Sequence, residues 1–238
     1  MKPLSPGTRK SGAAPKERLV PGLPALKIWF RKSNLTLSEK QYRQLWLYHT
    51  LLRQKNAEYD LTRIYQFDNM VQKHYIDCIL VAKLLHGDIP SPMLDIGTGP
   101  GFPGVPLKIV SPRTTFILSE GRHRRVRFLR EVVEELDLKG VEIFEGKIYG
   151  SFSRPVKGVI TRALESIPKT LGRVLNCLSP GGKAIFMKGP YCDEELKEGV
   201  ERFKTEYVLV GDIAYRIPLT AHRRRLVIFE RRGTSQGL

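Results

Sequence analysis

The sequence predicts an α/β domain, a mostly parallel seven-stranded sheet in a Rossmann-like arrangement, preceded by a helical N-terminal region. Three observations carry this. From Met93 onward, short apolar runs alternate with amphipathic segments, the pattern of a parallel sheet covered by helices on both faces. The stretch "MLDIGTGPGFPG" (Met93–Gly104) sets four glycines and two prolines directly behind the first apolar run, as in folds that bring bare backbone up to a ligand. Upstream of it, apolar residues recur only at helical spacing.

Taken in order, residues 1–24 are rich in Pro, Gly, Ser, Lys and Arg without periodicity, which predicts a disordered basic arm. Residues 25–90 form the helical region. Ser38 with Gln41 three residues on makes a capping box, and Tyr42, Leu45, Trp46, His49 and Leu52 share one face of a helix over Ser38–Asn56. On that face His49 reads as a packed histidine. A second helix is expected over Asn69–His86, with Asp68 as N-cap and Gly87 as its stop. Residues 91–238 form the α/β domain. Strands are expected at Met93–Ile96, Thr115–Ser119, Val141–Glu145, Val156–Thr161 and Ala184–Lys188, with helices at Arg122–Leu136 and Ile167–Leu178. "SPGGK" (Ser179–Lys183) reads as a turn. Tyr207–Ile217 and Arg225–Glu230 add two strands, antiparallel at an edge.

Composition narrows the partners. The formal net charge of the 238 residues is +16, which favours nucleic acid, with an anionic membrane surface second. Three distant cysteines, Cys78, Cys177 and Cys192, form neither a metal-type pair nor a disulfide framework, so no metal is expected and a reducing cytoplasm fits. No apolar run reaches the roughly 18 residues of a membrane span.

The loop chemistry narrows the ligand. No Gly-Lys-Ser/Thr follows, which excludes a Walker loop. Gly99, Gly101 and Gly104 satisfy the dinucleotide spacing, but the strand enters the loop through Asp95, ahead of Gly97. A carboxylate there repels a pyrophosphate and attracts a ligand carrying an ammonium and a sulfonium. Asp95, Gly97, Gly99 and Gly101 therefore read as motif I of a class I S-adenosylmethionine-dependent methyltransferase. Glu120 ends the next strand, about twenty residues on, where an acid accepts from ribose hydroxyls. The structural alternatives are that Asp95 caps the turn and that Glu120 pairs with Arg124.

The fourth strand bears on the methyl acceptor. "VITRALES" (Val159–Ser166) lacks the Asn/Asp-Pro-Pro-aromatic run of amino-directed enzymes, and no cysteine has the setting of a pyrimidine nucleophile. Arg162 stands there instead. Its fork suits guanine O6 or a phosphate, and guanine N7 needs no proton removed. An ion pair with Glu165 or a packing role is the alternative.

These residues resemble the GidB (RsmG) family of bacterial 16S ribosomal RNA guanine-N7 methyltransferases. The resemblance runs from Leu45 to Glu230 and is densest in "LDIGTGPGFPGVPLKIV" (Leu94–Val110), "RVRFLREV" (Arg125–Val132), "GVITRA" (Gly158–Ala163) and "MKG" (Met187–Gly189). "LT" (Leu61–Thr62) and "KHYID" (Lys73–Asp77) match its N-terminal segment. It implies that Gly97 and Phe102 contact S-adenosylmethionine, that Glu120 binds its ribose, that Ile148 and Tyr149 lie beside its adenine, and that Arg162 stands near cofactor and substrate. Arg224 matches a C-terminal arginine facing RNA; with Arg223, Arg225, Lys147 and Lys188 it makes up the candidate RNA contacts. The implied partner is small-subunit ribosomal RNA or an assembling 30S subunit. The chain departs from the family pattern at Asp60, for Asn, at Tyr65 and Gln66, for Arg-Asp, and at Lys147, for Arg. Arg122, Arg124, Arg125, Arg127 and Arg130 crowd one helix, a face that is either RNA-binding or simply solvated. The competing readings are an NAD(P)-dependent oxidoreductase and a non-catalytic RNA-binding protein retaining the cofactor fold.

Overall fold

The computed structural model describes residues 20–149 and 152–233; most of the expected basic arm, residues 1–19, lies outside them. Seven strands form one sheet in the order β3-β2-β1-β4-β5-β7-β6. They are β1 (Met93–Ile96), β2 (Phe116–Glu120), β3 (Val141–Glu145), β4 (Val156–Arg162), β5 (Leu178–Lys188), β6 (Tyr207–Arg216) and β7 (Arg223–Arg231). The first five run parallel; β7 inserts antiparallel between β5 and β6. Strand order reverses at β1, so the loops leaving the C-terminal ends of β1 and β4 diverge and open a crevice there. The "SPGGK" turn is absorbed into β5 as a register shift between Val156 and Gly158 of β4.

Eight α-helices among the described residues cover the sheet: α1 (Leu23–Lys32), α2 (Glu39–Tyr59), α3 (Phe67–Met70), α4 (Asp77–Leu84), α5 (Gly104–Val110), α6 (His123–Glu135), α7 (Ile167–Arg173) and α8 (Asp193–Arg202). The capping box at α2 forms as expected: Gln41 N donates to Ser38 Oγ at 3.3 Å and Ser38 N to Gln41 Oε1 at 2.8 Å. The second expected helix needs correction. It starts two residues earlier, Gln66 occupies the N-cap without a side-chain bond to the helix backbone, and a π-helical turn over Val71–Ile76 separates α3 from α4. Asp68 is not the cap, because its carboxylate instead accepts from Trp29 Nε1 of α1 at 2.8 Å. Gly87, at φ +79°, does lie just past the end.

The sheet's two faces bury two cores. One joins Phe30, Tyr48, Tyr75 and Phe128 of the helices to Met93, Phe116 and Ile160 of the strands. The helical N-terminal region therefore shares its core with the sheet. On the other face Leu94, Ile117, Val159, Phe186 and Phe229 pack under Ile167 and Leu171 of α7. Both faces of β1 and β2 are buried, which is why these strands read as continuous apolar runs rather than alternating ones.

Candidate active site

The loop after β1 is held by three internal ties. Asp95 is fully buried, and its Oδ2 accepts from Thr98 Oγ1 at 2.6 Å and from Gly104 N at 2.7 Å. Tyr48 of α2, also buried, donates to Pro100 O at 2.8 Å. Gly97 and Gly99 sit at φ +67° and +62°, backbone that side chains strain to adopt. Gly101 packs inward: a Cβ there would lie 2.9 Å from the Tyr48 hydroxyl. Asp95 thus caps the loop from beneath rather than standing at its mouth. Burial, opposed by its bonds to Thr98 and Gly104, pushes its carboxyl up to about 7, and Oδ1 has no partner among the described residues.

In front of this loop lies a cleft of about 680 Å³. The loops behind β1, β2, β3 and β4 each contribute to it: Gly97, Glu120 with Gly121 and Arg122, Lys147 with Ile148, and Ala163 with Leu164 and Glu165. Glu120 is buried; its Oε1 accepts from Arg122 N at 2.8 Å and its Oε2 lies 4.0 Å from Arg125, not against Arg124. Ala163 adopts φ +53°, an unfavourable conformation for a residue with a side chain, at the point where the chain leaves Arg162 for the cleft wall. One wall is tied together by Arg173, which sequence reasoning did not single out. Its guanidinium grips Glu165 with two bonds of 2.7 Å, donates to Ile148 O at 2.6 Å and lies 5.7 Å from the centre of the Tyr149 ring. Tyr149 itself is half exposed and outside the cleft lining.

Arg162 projects beside the cleft into an ordered cluster. It donates to Lys73 O at 3.1 Å and to His74 Nδ1 at 3.2 Å, and its guanidinium sits 5.0 Å from the centre of the buried Phe102 ring. An arginine only donates, so His74 Nδ1 accepts and Nε2 carries the proton toward Thr62 Oγ1, 3.0 Å away. His74 also stacks on Phe102, 4.3 Å between centroids. Burial, reinforced by the Arg162 charge, pushes the imidazole down to about 3, which keeps it neutral. Arg162 pairs with Asp77, at 3.7 Å, and not with Glu165. The same buried carboxylate lies 3.7 Å from Arg224 and accepts from the Tyr215 hydroxyl at 2.9 Å. His74 and Asp77 both stand in the "KHYID" run, the signal that marked them. His49, as expected, is packed: it stacks on Trp46 and bonds to the Tyr75 hydroxyl.

The remaining basic candidates divide by their partners. Lys147 lines the cleft. Lys188 is committed inward, to Glu165 O and Glu195, both at 2.8 Å. Arg225 is held by Asp193 and Asp212 at 2.6 Å each. On α6, Arg130 binds Glu145 and Arg125 donates to Asp60 O. All three cysteines are free and buried, and burial pushes the Cys78 thiol to about 12, the setting of an inert thiol. Among the described residues no group of His, Cys, Asp and Glu is arranged to hold a metal ion.

An open parallel sheet with a braced glycine loop at its switch point and an antiparallel β7 beside β5 is the class I methyltransferase architecture. Two solved structures share it: a putative class I S-adenosylmethionine-dependent methyltransferase from Listeria monocytogenes (TM-score 0.60, 15% identity, 83% of this chain and 70% of that one) and a methyltransferase from Pyrococcus furiosus (TM-score 0.54, 19% identity, 82% and 98%). The family described as GidB, rRNA small subunit methyltransferase G, matches residues 41–224, and the chain belongs to it. It is 47% identical over 219 residues to ribosomal RNA small subunit methyltransferase G 2 of Syntrophobacter fumaroxidans, covering 92% of this chain and 44% of that relative. It is 42% identical over 203 residues to the Bdellovibrio bacteriovorus protein of the same name, 85% of this chain and 79% of the relative. The Escherichia coli ribosomal RNA small subunit methyltransferase G is 31% identical, over 87% of this chain and 98% of its own length. The chain thus spans less than half of the Syntrophobacter relative and nearly all of the E. coli one.

Proposed function

We propose that this chain transfers a methyl group from S-adenosylmethionine to N7 of a guanine in small-subunit ribosomal RNA. One observation carries the reading: a single cleft takes a wall from each of the loops behind the first four parallel strands, and Arg162, the last residue of β4, stands beside it, one residue before the lining Ala163. Family membership supports it. The residues fit the cofactor. Gly97 leaves bare backbone at the cleft floor, and Asp95 keeps a buried oxygen beneath the loop without a partner among the described residues. Glu120 offers carboxylate oxygens on the cleft wall for a ribose, and Ile148, on the same lining, stands beside the position of an adenine. When bound, S-adenosylmethionine supplies an electrophilic methyl on a sulfonium.

The protein's own part is positioning. Guanine N7 attacks with a free lone pair, so no residue has to take a proton. The neutral His74 and Asp77 hold Arg162 in one orientation, and Arg162 presents its fork to the base or its phosphate. Alignment of the two reactants can supply most of the acceleration. Lys147, Arg223 and Arg224 face the RNA, and the substrate places the protein in the cytoplasm, acting on ribosomal RNA or an assembling 30S subunit. Membership of the methyltransferase family disfavours the oxidoreductase reading.

The test is single-turnover methyl transfer to undermethylated small subunits, alongside equilibrium S-adenosylmethionine binding. Arg162→Lys keeps the charge and loses the fork. Both it and Arg162→Ala are expected to cut the rate on the order of a hundredfold while cofactor affinity changes less. A wild-type rate in Arg162→Ala would overturn the positioning role, and a wild-type protein that binds NAD(P) in place of S-adenosylmethionine would overturn the whole reading.

A further inference from the structure

The C-terminal hairpin carries a charge arrangement that the fold leaves unresolved. In the β6–β7 register, Arg216 stands directly opposite Arg223, the last pair before the turn of residues 217–222. Directly opposed residues of an antiparallel pair share a face and sit roughly 5 Å apart at Cβ, where like charges destabilise the hairpin. Both arginines are exposed. Neither has an ion pair or a side-chain hydrogen bond among the described residues. Two positions along the same face the situation is the opposite: Arg225, across from Ala214, is neutralised by Asp193 and Asp212. The strand thus places acids against one arginine and none against the repelling pair.

Their location gives the repulsion a use. Lys188 at the end of β5 pairs with Arg225, so Arg223 projects two residues past the C-terminal edge of β5, the edge on which the cleft opens. Arg216 and Arg223 line a shallow groove of about 490 Å³ with Pro190, Arg224 and the acid-paired Arg225. Arg224, from the opposite face of β7, reaches Asp77 and through it Arg162. The groove that the pair lines therefore includes a residue of the chain that leads to Arg162.

We infer that Arg216 and Arg223 form a two-arginine clamp for the phosphodiester backbone of RNA, docking the substrate strand beside the cleft. The inference rests on the proposed RNA substrate. Two guanidinium forks at directly opposed positions of adjacent strands suit a phosphate, whose oxygens accept paired N–H bonds from an arginine. The repulsion between them is relieved when the anion arrives. Phosphate contacts of this kind set affinity and orientation and carry no sequence information. Arg216 enters the RNA surface by this route, while Arg225 serves the fold.

The experiment uses the full chain and a small-subunit ribosomal RNA transcript, with affinity measured across a salt series. The double variant Arg216→Gln/Arg223→Gln is expected to lower the slope of log affinity against log salt by about 0.7–0.9, the loss of one neutralised phosphate. Its melting temperature is expected to stay level or rise, and its S-adenosylmethionine affinity to match the wild type. Arg216→Lys/Arg223→Lys keeps the charge and is expected to retain the slope with weaker binding. Arg225→Gln serves as the structural counterpart: a lower melting temperature with the slope nearly unchanged. An unaltered slope in the double Gln variant, or melting depressed as in Arg225→Gln, overturns the clamp. If the wild type transfers no methyl to ribosomal RNA but the double variant still loses slope, the clamp stands and the proposed reaction falls. If methyl transfer is normal and the slope unmoved, the reverse holds.

Discussion

Removing Arg173 tests whether the cleft is pre-built or closes around its ligand. The side chain joins the loop after β3, through Ile148 O, to the loop after β4, through Glu165. Arg173→Ala deletes three charge-assisted hydrogen bonds and leaves Glu165, 16% exposed at its side chain, without its cation. Each such bond is worth about 1.5–3 kcal/mol when fully buried. Arg173 is 26% exposed, so solvent screening reduces the whole set to about 2 kcal/mol. If that energy holds the two loops in the binding-competent arrangement, the competent fraction falls about 30-fold and the apparent Kd rises by the same factor. Calorimetry with S-adenosylmethionine reads the Kd, and methyl transfer at saturating cofactor reads kcat, which is expected to stay near wild type. Arg173→Lys, able to make one bond where the fork makes two, is expected to fall between. A Kd within threefold of wild type, or a loss of kcat at unchanged Kd, would refute the strap.

Four further outcomes follow from the same geometry. Glu165 is partly buried, which raises its pKa, but its bonds to Arg173 outweigh this and hold the group below its ordinary 4.5; the pair's contribution is complete above that value and lost as pH falls through the depressed pKa, so the destabilisation of Arg173→Ala, followed by urea midpoints, is expected to shrink in acid. Asp95 behaves oppositely: with its carboxyl raised from 3.8 to about 7, the folded state holds the extra proton and loses stability as pH rises across that window, so Asp95→Asn is expected to gain on the wild type between pH 4 and pH 8. Tyr48→Phe leaves Pro100 O buried without its donor and is expected to cost about 1–3 kcal/mol in urea unfolding. Gly104→Ala drives a Cβ to 2.7 Å from Asp95 Oδ2 and against Leu118, and a loss of about 1–3 kcal/mol, with weakened cofactor binding, is expected; unchanged unfolding and binding would show that the loop can shift.

What was legible in the sequence follows from what each residue's neighbours decide. Strands buried on both faces read as apolar runs whatever packs on them, so β1 and β2 were placed within a residue. The helix α8 escaped because it is charged nearly throughout and only Gly199 is buried, which leaves no apolar period to find. Short α5 carries Pro106 within its seven residues, a breaker in any propensity reading. Within the site, glycine spacing declared a ligand loop because it constrains backbone directly. The Asp95 carboxylate was placed correctly in sequence but not in depth, since nothing local tells whether an acid at a strand end faces the ligand or caps the loop. The division of the arginines was illegible for the same reason. Arg223, Arg224 and Arg225 are adjacent in sequence, yet strand alternation sends Arg224 to the other face, where it meets Asp77 of α4, while Arg225 is held by acids of α8 and β6.

The departures from the family pattern can be weighed in the same terms. Asp60, in place of Asn, is the C-cap of α2 at φ +49°, and its backbone carbonyl accepts from Arg125. Asn and Asp are the side-chain-bearing residues best able to adopt that conformation, and the contact uses backbone only, so the exchange preserves the cap. Lys147, in place of Arg, lines the cleft beside Gly121, whose missing side chain leaves room for the lysine stem: a Cβ there would lie 3.3 Å from Lys147 Cγ. It keeps a positive charge and gives up only the bidentate geometry. Tyr65 and Gln66 differ in kind. They remove a cation and an anion together from an exposed segment, leaving Tyr65 as a large exposed aromatic and Gln66 bonded to Asn69. The net charge of the segment is unchanged by the paired loss.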